Sequence, residues 1–478
     1  MAPDPLALAL QLAQAGRLGE ALQHCERLLA MRPTHAPTLG LAGAIALRVG
    51  RIEDAIKRLT LATSLEPRHA GHQLNLGDAL SAAGRAADAM AVYQRTIALE
   101  PRNARAHAGL AFARQALGDT SGALEAFGRA ASLDRKAADL QLNYGVALQQ
   151  AGRLDEAIAT LQQAARLAPG FADAQYALGV ALAAKGDLDG AMAAYQAALR
   201  LEPNHVRALN NRGRVHEERG ARGAALDDYT RASERAPDFA EACYNRANML
   251  KELGRYREAL AAYDRALQLL PGTADALKNR GMVRLTLGDF TGGWQDQRAR
   301  EAPRSEADPP DARLPASLAG ERILIVREQG VGDEVFFLRF APLLIARGAK
   351  ISTIVDPRLA AMMTRANLFE HVFTAGDAPK GFDRRLLMAD LPFLLGHARA
   401  DDCPPALRIP PLPGSTDRMR QRLLAAGPPP WIAVTWRAGV PGITLREIPP
   451  AALGAALAPT HGTVVIVQRK PAADDIAA

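Results

Sequence analysis

The chain has 478 residues, of which 48% are hydrophobic, 23% are charged and 5% are aromatic, which are ordinary values for a folded protein that is poor in aromatic side chains. Its formal net charge of +7 would suit a nucleic-acid partner, but Arg and Lys alternate with Asp and Glu along the chain, so we predict a solvated surface and no nucleic acid. The first residues lack a basic segment and no apolar run reaches about 18 residues, so we expect no membrane span and a cytoplasmic location.

The three cysteines also exclude some kinds of site. Cys25, Cys243 and Cys403 are far apart and have none of the spacings that metal sites use. We therefore interpret them as free thiols in the protein core, and we expect neither a metal nor another cofactor.

Glycine recurs at one constant interval through the first part of the chain, with no insertion or deletion. Proline follows most of these glycines midway through the interval, with Arg135 as the exception, and alanine lies between the two. Glycine permits a left-handed turn, proline ends a helix, and alanine lets two helices approach closely. We therefore predict helix pairs that stack into a solenoid and so bury their apolar faces. The recurring glycines are Gly16, Gly50, Gly84, Gly118, Gly152, Gly186, Gly220, Gly254 and Gly288.

This pattern closely resembles the tetratricopeptide repeat family over residues 2–303, with eight full repeats and a ninth that is partial. The tryptophan that is usual on the first helix of that family is replaced here, for example by Leu39 and Gln141. The resemblance implies an α-solenoid whose first helices line a concave surface. A protein or peptide is the partner that such a groove implies.

Asparagine returns at one position of the first helix in five of the repeats. An amide side chain offers one acceptor and two donors, so a row of amides can bind the backbone of an extended peptide with little demand on its side chains. This row is similar to the asparagine ladder of the O-linked GlcNAc transferases. The alternative is that the amides join adjacent repeats to each other. The five residues are Asn75, Asn143, Asn211, Asn245 and Asn279.

A second way of binding peptides is excluded by the sequence. Repeat domains that clamp the carboxylates of chaperone tails use lysine at positions where this chain has leucine, asparagine or tyrosine. Arg212, Arg246 and Arg280 directly follow three of the ladder asparagines. These arginines either form a basic stretch in the last repeats or pair with acids of the next repeat.

A second domain is predicted after the repeats. Residues 304–320 are rich in proline and charge and predict a linker. The run ILIV, a glycine turn, the helical segment VFFLRFAPLLIARG and the run ISTIV then predict a parallel α/β unit over residues 321–427. Ligands of such sheets bind at the carboxyl ends of the strands, and the turn at Gly330 and Gly332 is the first such place.

The segment EQGVGDEVFFLRFAPLLIARGA, with GFDRRLLMADLPFLLG and WIAVTWRAG, resembles the bacterial repeat-fused glycosyltransferases related to heptosyltransferases, of family nine and GT-B fold. The resemblance covers about residues 285–478. It implies inverting, metal-independent transfer from a nucleotide sugar to an acceptor, with Asp333 as the catalytic base. The acceptor-side residues that it implies are Glu328, Gln329, Gly330 and Gly332, and the residues near the donor phosphates are Trp436, Arg437 and Arg446.

The residues alone allow other roles. An aspartate next to a glycine turn can be the N-cap of the following helix, which is the alternative for Asp333. Arginine binds diphosphates through paired hydrogen bonds, but Arg437 and Arg446 can equally form surface ion pairs.

The GT-B fold requires a second Rossmann-like domain, which would begin at residue 428. Residues 428–478 are too few for a domain of about 100 residues, so we expect the donor half to be incomplete and this chain to turn over no nucleotide sugar. The alternative function is a non-catalytic, peptide-binding adaptor whose α/β region has lost its chemistry.

Overall fold

A computed structural model describes residues 5–299, 313–328, 330–374, 376–377, 379–412, 414–427, 431–434 and 463–466. The chain divides into two compact units, Met1–Arg300 and Glu301–Ala478. The first is named the solenoid unit here and the second the sheet unit.

The described residues of the solenoid unit form eighteen helices in nine successive pairs, which confirms the predicted α-solenoid. Odd-numbered helices are the first of each pair and even-numbered helices are the second. They are α1 (Pro5–Gln14), α2 (Leu18–Met31), α3 (Ala36–Arg48), α4 (Ile52–Leu65), α5 (Ala70–Ala82), α6 (Ala86–Leu99), α7 (Ala104–Ala116), α8 (Thr120–Leu133), α9 (Ala138–Gln150), α10 (Leu154–Leu167), α11 (Ala172–Lys185), α12 (Leu188–Leu201), α13 (Val206–Glu218), α14 (Arg222–Arg235), α15 (Ala240–Glu252), α16 (Tyr256–Leu269), α17 (Ala274–Thr286) and α18 (Phe290–Gln297).

The recurring glycine lies in the turn between the two helices of each pair. Its φ angle is between 72° and 88° in all nine turns, which is the left-handed region that the sequence predicts. Glycine has no Cβ and occupies this region without the steric penalty that other residues meet. The constant interval between these glycines therefore marks one turn per pair.

Small residues let a large side chain fill the space between paired helices. Ala225 and Tyr229 of α14 are both fully buried. A methyl group added at Gly213 of α13 would lie 2.7 Å from a ring carbon of Tyr229, so the glycine keeps this space open. Equivalent alanines in the other repeats are at most 3% exposed, and they are Ala21, Ala55, Ala89, Ala123, Ala157, Ala191 and Ala259.

The first helices of neighbouring repeats contact each other as well as their own second helices. Such contacts join α3 to α5, α5 to α7, α9 to α11 and α11 to α13. Contacts also join α1 to α3 and α15 to α17, and side-chain hydrogen bonds join α7 to α9 and α13 to α15. The odd-numbered helices therefore form one surface along the solenoid unit, which is named the first-helix face below.

The sheet unit contains a four-stranded parallel sheet in the order β3-β2-β1-β4. Its strands are β1 (Arg322–Val326), β2 (Lys350–Val355), β3 (Val372–Thr374) and β4 (Arg384–Leu387). Further helices are α19 (Val331–Leu338), α20 (Ala341–Ala346), α21 (Pro357–Ala366), α22 (Leu391–Leu394) and α23 (Ser415–Ala426). Two more parallel strands, β5 (Trp431–Val434) and β6 (Thr463–Ile466), pair with each other.

The strand, helix, strand order predicted from the sequence is present, but the predicted helix VFFLRFAPLLIARG is wrong as a single element. The chain forms α19 and α20 instead, with Pro342 in the first turn of α20. Proline lacks an amide donor and its ring clashes with the carbonyl four residues earlier, which here belongs to Leu338, the last residue of α19.

The described part of the predicted linker packs within the sheet unit, against residues of the predicted α/β domain. The backbone N–H of Leu314 donates to the carbonyl of Leu394 at 2.9 Å, and that of Leu318 donates to the carbonyl of Arg347 at 2.7 Å. Leu318 is fully buried. The packed part of the sheet unit therefore begins before residue 321, because Leu314 and Leu318 bury their side chains despite the neighbouring prolines.

The three cysteines are free, and Cys25 and Cys243 are buried as predicted. Burial raises the pKa of the Cys25 thiol to about 11. The prediction of a core position is wrong for Cys403, which is half-buried in the loop after the short turn at Ala400–Asp402. Among the described residues, the helices are all too short or too polar to cross a bilayer.

Candidate functional site

Three of the five ladder asparagines are hydrogen-bonded to the repeat before them. The side-chain amide of Asn211 donates to the Tyr176 hydroxyl at 3.3 Å, and that of Asn279 donates to the Tyr244 hydroxyl at 3.2 Å. The amide of Asn245 donates to the side-chain oxygen of Asn210 at 3.0 Å. These contacts match the alternative in which the amides join adjacent repeats.

Whether such a bond can form depends on one residue of the preceding repeat, at the position that Tyr176, Asn210 and Tyr244 occupy. That residue is tyrosine or asparagine for the three bonded amides, but it is Gly40 for Asn75 and Ala108 for Asn143. Neither glycine nor alanine has a side-chain acceptor. Within the described part of the chain, Asn75 and Asn143 accordingly make no side-chain hydrogen bond, and both are half-buried.

A pocket of about 360 Å³ opens beside Asn143 on the first-helix face. Its walls come mainly from α7, α9 and α11, with Arg207 from α13. We name it the Asn143 pocket. The residues that line it are Phe112, Gln115, Phe127, Leu142, Asn143, Val146, Ala147, Gln149, Asp173, Tyr176, Ala177, Val180 and Arg207.

One side of the Asn143 pocket is apolar. The Phe112 ring stands edge-on to the Phe127 ring, with 4.9 Å between centroids and 86° between planes. Phe127 is buried, whereas 48% of Phe112 is exposed to solvent. A half-exposed phenylalanine on a rigid helix gives an apolar ligand group a contact surface that is already in position.

Charged groups lie on the other side of the pocket. The Arg207 guanidinium carbon is 5.6 Å from the centroid of the Tyr176 ring, which is within cation–π range. The Asp173 carboxylate is 3.3 Å from the Nε2 atom of His205, the N-cap residue of α13. Burial raises the pKa of Tyr176, so this hydroxyl stays neutral and accepts the amide of Asn211. The Asn143 pocket thus combines apolar surface, both signs of charge and one available amide.

Two of the arginines that follow the ladder asparagines form ion pairs with acids other than the predicted ones. Arg212 donates two hydrogen bonds to Asp228, at 2.7 and 2.6 Å, and Arg280 donates two to Asp296, both at 2.7 Å. Both aspartates belong to the second helix of the arginine's own repeat, and Arg280 also reaches Asp264 of the preceding repeat at 2.8 Å. Pairing with the next repeat is therefore wrong for these two, because the second helix of the same pair is nearer. The hydrogen bonds to Asp296 raise the pKa of Arg280.

One group of side chains near the start of α5 could hold a metal ion. Glu66, His69 and His72 each have a ligand atom within 4.8 Å of the others. The two imidazole rings are stacked, however, with centroids 3.7 Å apart, so their in-plane lone pairs point side by side and not toward one point. His69 also accepts the backbone N–H of His72 at 3.1 Å, which makes it the N-cap of α5.

In the sheet unit, the predicted acceptor-side residues Glu328, Gly330 and Gly332 lie near the carboxyl end of β1. The Glu328 carboxylate accepts the backbone N–H of Ala389, just after β4, at 3.1 Å. The order of the strands reverses between β1 and β4, and doubly wound sheets bind ligands at such a switch point. Gly330 is the N-cap of α19, while Gly332 and Asp333 lie exposed in its first turn. The N-cap alternative for Asp333 is therefore wrong.

Sequence reasoning missed a buried carboxylate at this edge. Glu334 is 1% exposed and accepts a hydrogen bond from Arg327 at 2.6 Å and one from the backbone N–H of Asp356 at 2.9 Å. Arg358 holds the pKa of Asp356 well below its usual range. Glu334 thus joins α19 to the ends of β1 and β2. The signal in the sequence was its helical spacing with buried Phe337 and Leu338.

Four predicted site residues lie outside the described residues: Gln329, Trp436, Arg437 and Arg446. The roles that the glycosyltransferase resemblance implies for them stay predictions.

Comparison with known proteins identifies the repeats. Sequence profiles of the tetratricopeptide repeat match residues 41–104, 108–172, 147–205 and 176–241, and a further profile of this repeat matches residues 240–272. The solenoid unit is therefore built of tetratricopeptide repeats. These matches lie within residues 41–272, so the glycosyltransferase resemblance of residues 285–478 stays a prediction.

A similar curated protein is FlbA of Caulobacter vibrioides, which is 27% identical over 182 residues. The match covers 32% of this chain and 30% of FlbA, so the chain spans less than a third of that relative's length.

Similar solved structures include YrrB, described as a repeat protein with an unusual peptide-binding site, at 25% identity and a TM-score of 0.34 over 38% of this chain and 95% of that chain. PilF of Pseudomonas aeruginosa is 20% identical, with a TM-score of 0.41 over 45% of this chain and 97% of that chain. In the Cut9–Hcn1 complex of the APC/C, the matching chain is 19% identical, with a TM-score of 0.45 over 56% of this chain and 52% of that chain.

Proposed function

We propose that this protein binds an extended segment of another polypeptide on the first-helix face, with the Asn143 pocket as the anchoring site. The main support is the amide of Asn143, which has no intramolecular side-chain partner in the described structure and borders a pocket with an exposed phenylalanine. Tetratricopeptide repeats are protein-binding scaffolds, and the geometry supports the Asn143 pocket as the place on this one where a peptide would bind.

The pocket suggests how the peptide is recognised. The Asn143 amide can donate to a peptide carbonyl and accept from a peptide N–H, as a neighbouring strand would do. An apolar peptide side chain would contact Phe112 and Val146, and would remove their exposed surface from water. Asp173 and Arg207 at the pocket would orient a peptide that has charges on both sides of its apolar residue.

This proposal changes the role of the predicted ladder. Asn211, Asn245 and Asn279 already hydrogen-bond within the solenoid unit, so a peptide would have to compete for their amides. Binding at Asn143 requires no such exchange. We therefore assign backbone recognition to Asn143 and inter-repeat contact to the other three.

The test compares two asparagine variants. Peptides that bind the protein are selected from a display library, and their Kd values are measured by fluorescence anisotropy. Asn143→Ala should weaken binding about fivefold, which corresponds to the loss of about 1 kcal/mol from one hydrogen-bonding group. Asn245→Ala, whose amide bonds Asn210 outside the pocket, should leave Kd unchanged while lowering the melting temperature. Equal affinity of Asn143→Ala and the unchanged protein would contradict the proposal, provided that both are folded.

We also propose a second function for the sheet unit, namely to supply the acceptor side of sugar transfer from a nucleotide sugar. The specific observation in its favour is that Glu328, Gly330, Gly332 and Asp333 meet beside the switch point of a parallel sheet. Asp333 is exposed at this edge and would accept the proton of the acceptor hydroxyl. Trp436, Arg437 and Arg446 would contact the donor diphosphate, as the resemblance implies.

Release of nucleoside diphosphate from a panel of nucleotide sugars tests this second function. Any release that is observed should be abolished in Asp333→Asn, whereas Asp417→Asn, an exposed aspartate on α23, should leave it unchanged. Release that persists in Asp333→Asn would contradict the assigned base. Absence of release together with retained peptide binding would favour the adaptor function.

A further inference from the structure

One arginine of the solenoid unit lacks the acid that its equivalents have. Arg212, Arg246 and Arg280 occupy the same position in three successive repeats. Arg212 and Arg280 each donate two hydrogen bonds to an aspartate on the second helix of the same pair, Asp228 and Asp296 respectively. At the position of these aspartates, the repeat of Arg246 has Ala262.

The other acid is missing as well. Arg280 has a second partner in Asp264, and the residue one repeat before Asp264 is Thr230. The Nε atom of Arg246 is buried and has no hydrogen-bond partner among the described residues. A guanidinium N–H that is removed from water without an acceptor loses hydration and gains nothing in exchange.

Space is present where the missing aspartate would lie. A cavity of about 260 Å³ opens next to Arg246 between α14, α15 and α16, and Ala262 is part of its wall. We name it the Arg246 cavity. It is lined by Ser233, Glu234, Pro237, Cys243, Arg246, Glu258, Ala261, Ala262 and Arg265.

The acids of the Arg246 cavity do not replace the missing aspartate. Glu258 interacts with Arg246 electrostatically, but its carboxylate accepts two hydrogen bonds from Arg255, at 2.8 and 2.7 Å. Glu234 is exposed on the last turn of α14 and makes no hydrogen bond to Arg246. Arg265 lines the same cavity and donates to the carbonyl of Pro237. The cavity wall therefore carries two guanidinium groups and two carboxylates, and neither carboxylate accepts a hydrogen bond from Arg246.

We infer that the Arg246 cavity binds a carboxylate group, which takes the place that Asp228 and Asp296 occupy beside the equivalent arginines. A carboxylate has two oxygens in one plane, so it can accept from Nε and a terminal nitrogen of Arg246 together, as Asp228 does from Arg212. The volume suits a small organic acid or the side chain of an aspartate or glutamate from a partner protein. Both sources offer the same chemistry.

The ¹H–¹⁵N signal of the Arg246 Nε–H group reports occupancy directly. The full chain is titrated with sodium acetate at constant ionic strength, and separately with a blocked glycine-aspartate-glycine peptide and its asparagine counterpart. The signal is identified by its loss in Arg246→Gln. We expect it to shift saturably with acetate, with the aspartate peptide or with both, and to stay in place with the asparagine peptide. The Arg212 signal, whose arginine is already paired, is the internal control.

Ala262→Asp is the decisive variant, because it rebuilds the acid that the other two repeats have. The built-in carboxylate should weaken binding of the added carboxylate at least about tenfold and raise the melting temperature of the unliganded protein. A response to acetate identifies a free acid as sufficient, and a response to the aspartate peptide alone identifies a protein ligand. No saturable shift with either probe, or equal binding by Ala262→Asp, would overturn the inference.

Discussion

A side chain on the first-helix face interacts with a residue of the neighbouring repeat as directly as with its neighbours along the helix. Tyr176 and Asn211 are one example, and Tyr244 and Asn279 are another. A substitution in one repeat therefore acts on an amide of the next. A buried amide or hydroxyl that loses its partner pays the free energy of lost hydration, which is larger than the net gain from the bond itself.

Tyr176→Phe should lower the free energy of unfolding by about 1 kcal/mol, because the Asn211 amide loses its acceptor while the ring stays in place. The measurement is thermal or urea unfolding followed by circular dichroism. Tyr144→Phe is a matched control, since the Tyr144 hydroxyl makes no hydrogen bond to a described residue. Equal stability of the two variants would show that the bond to Asn211 contributes nothing.

The stability of the solenoid unit should fall as the solution becomes acidic, partly through His72. Burial, followed by the neighbouring His69, lowers the pKa of His72, while Glu66 opposes this effect. In the unfolded chain the His72 side chain has a pKa of about 6.5, so it takes up a proton more readily there than in the folded chain. The contribution of His72 to the free energy of unfolding is fully present above this pH, and it is lost as the pH falls below it.

His72→Gln should consequently reduce the loss of unfolding free energy between about pH 7 and about pH 5.5. Burial also lowers the pKa of His216 in the same unit, so part of the pH dependence should remain. The measurement is urea unfolding at both pH values, and the exposed His371→Gln is the control. An unchanged difference between the two pH values in His72→Gln would exclude this role.

At the scale of helices and turns, glycine has two separate functions in the repeats. The turn glycine is needed for its backbone angle, and nothing lies within 4 Å of the place where its Cβ would be. The helical glycine of several first helices, such as Gly213, is needed for space, since a Cβ there would overlap the ring of the second helix. Sequence alone distinguishes the first function by its spacing. The second becomes visible when the two helices are superposed in space.

Gly152→Ala should destabilise the protein by about 1 kcal/mol, because its φ of 73° lies in the left-handed region that alanine disfavours. The control is Gly170→Ala, which also faces open space but lies outside the left-handed region. It should leave the stability equal or slightly higher, since alanine reduces the conformational freedom of the unfolded chain. Thermal unfolding of both variants checks this, and a similar loss in both would show that backbone angle is not the cause.

At the scale of the whole molecule, the sequence predicted the solenoid well because one constant period determines the turn, the helix ends and the close contacts. It did not predict which ladder amides are occupied, because that depends on which residue of the preceding repeat lies beside each one. Asn143 and Asn211 look alike in sequence, and only Ala108 and Tyr176 distinguish them. In the sheet unit, apolar runs identified β1 and β2, while buried Glu334 was hidden beside the more conspicuous Asp333.

Removal of one complete repeat should leave a folded solenoid. Deletion of residues 206–239 removes α13 and α14 and brings Asn245 to the position of Asn211, beside Tyr176. It also removes both Arg212 and Asp228, so neither member of this ion pair is left without the other. The helical signal per residue should be retained in circular dichroism. Deletion of residues 206–222 is the control, and it should lose helix because α14 would have no partner. Equal loss in both deletions would contradict interchangeable repeats.

The constant length of the repeats has a consequence for inheritance. Recombination between two repeats of the gene adds or removes whole units, and the reading frame is preserved because each unit is a whole number of codons. The new junction joins equivalent positions, and selection then acts on the few residues that differ between units. Ala262 beside Arg246 is one such difference, so loss of that single repeat would remove the Arg246 cavity and leave the Asn143 pocket intact.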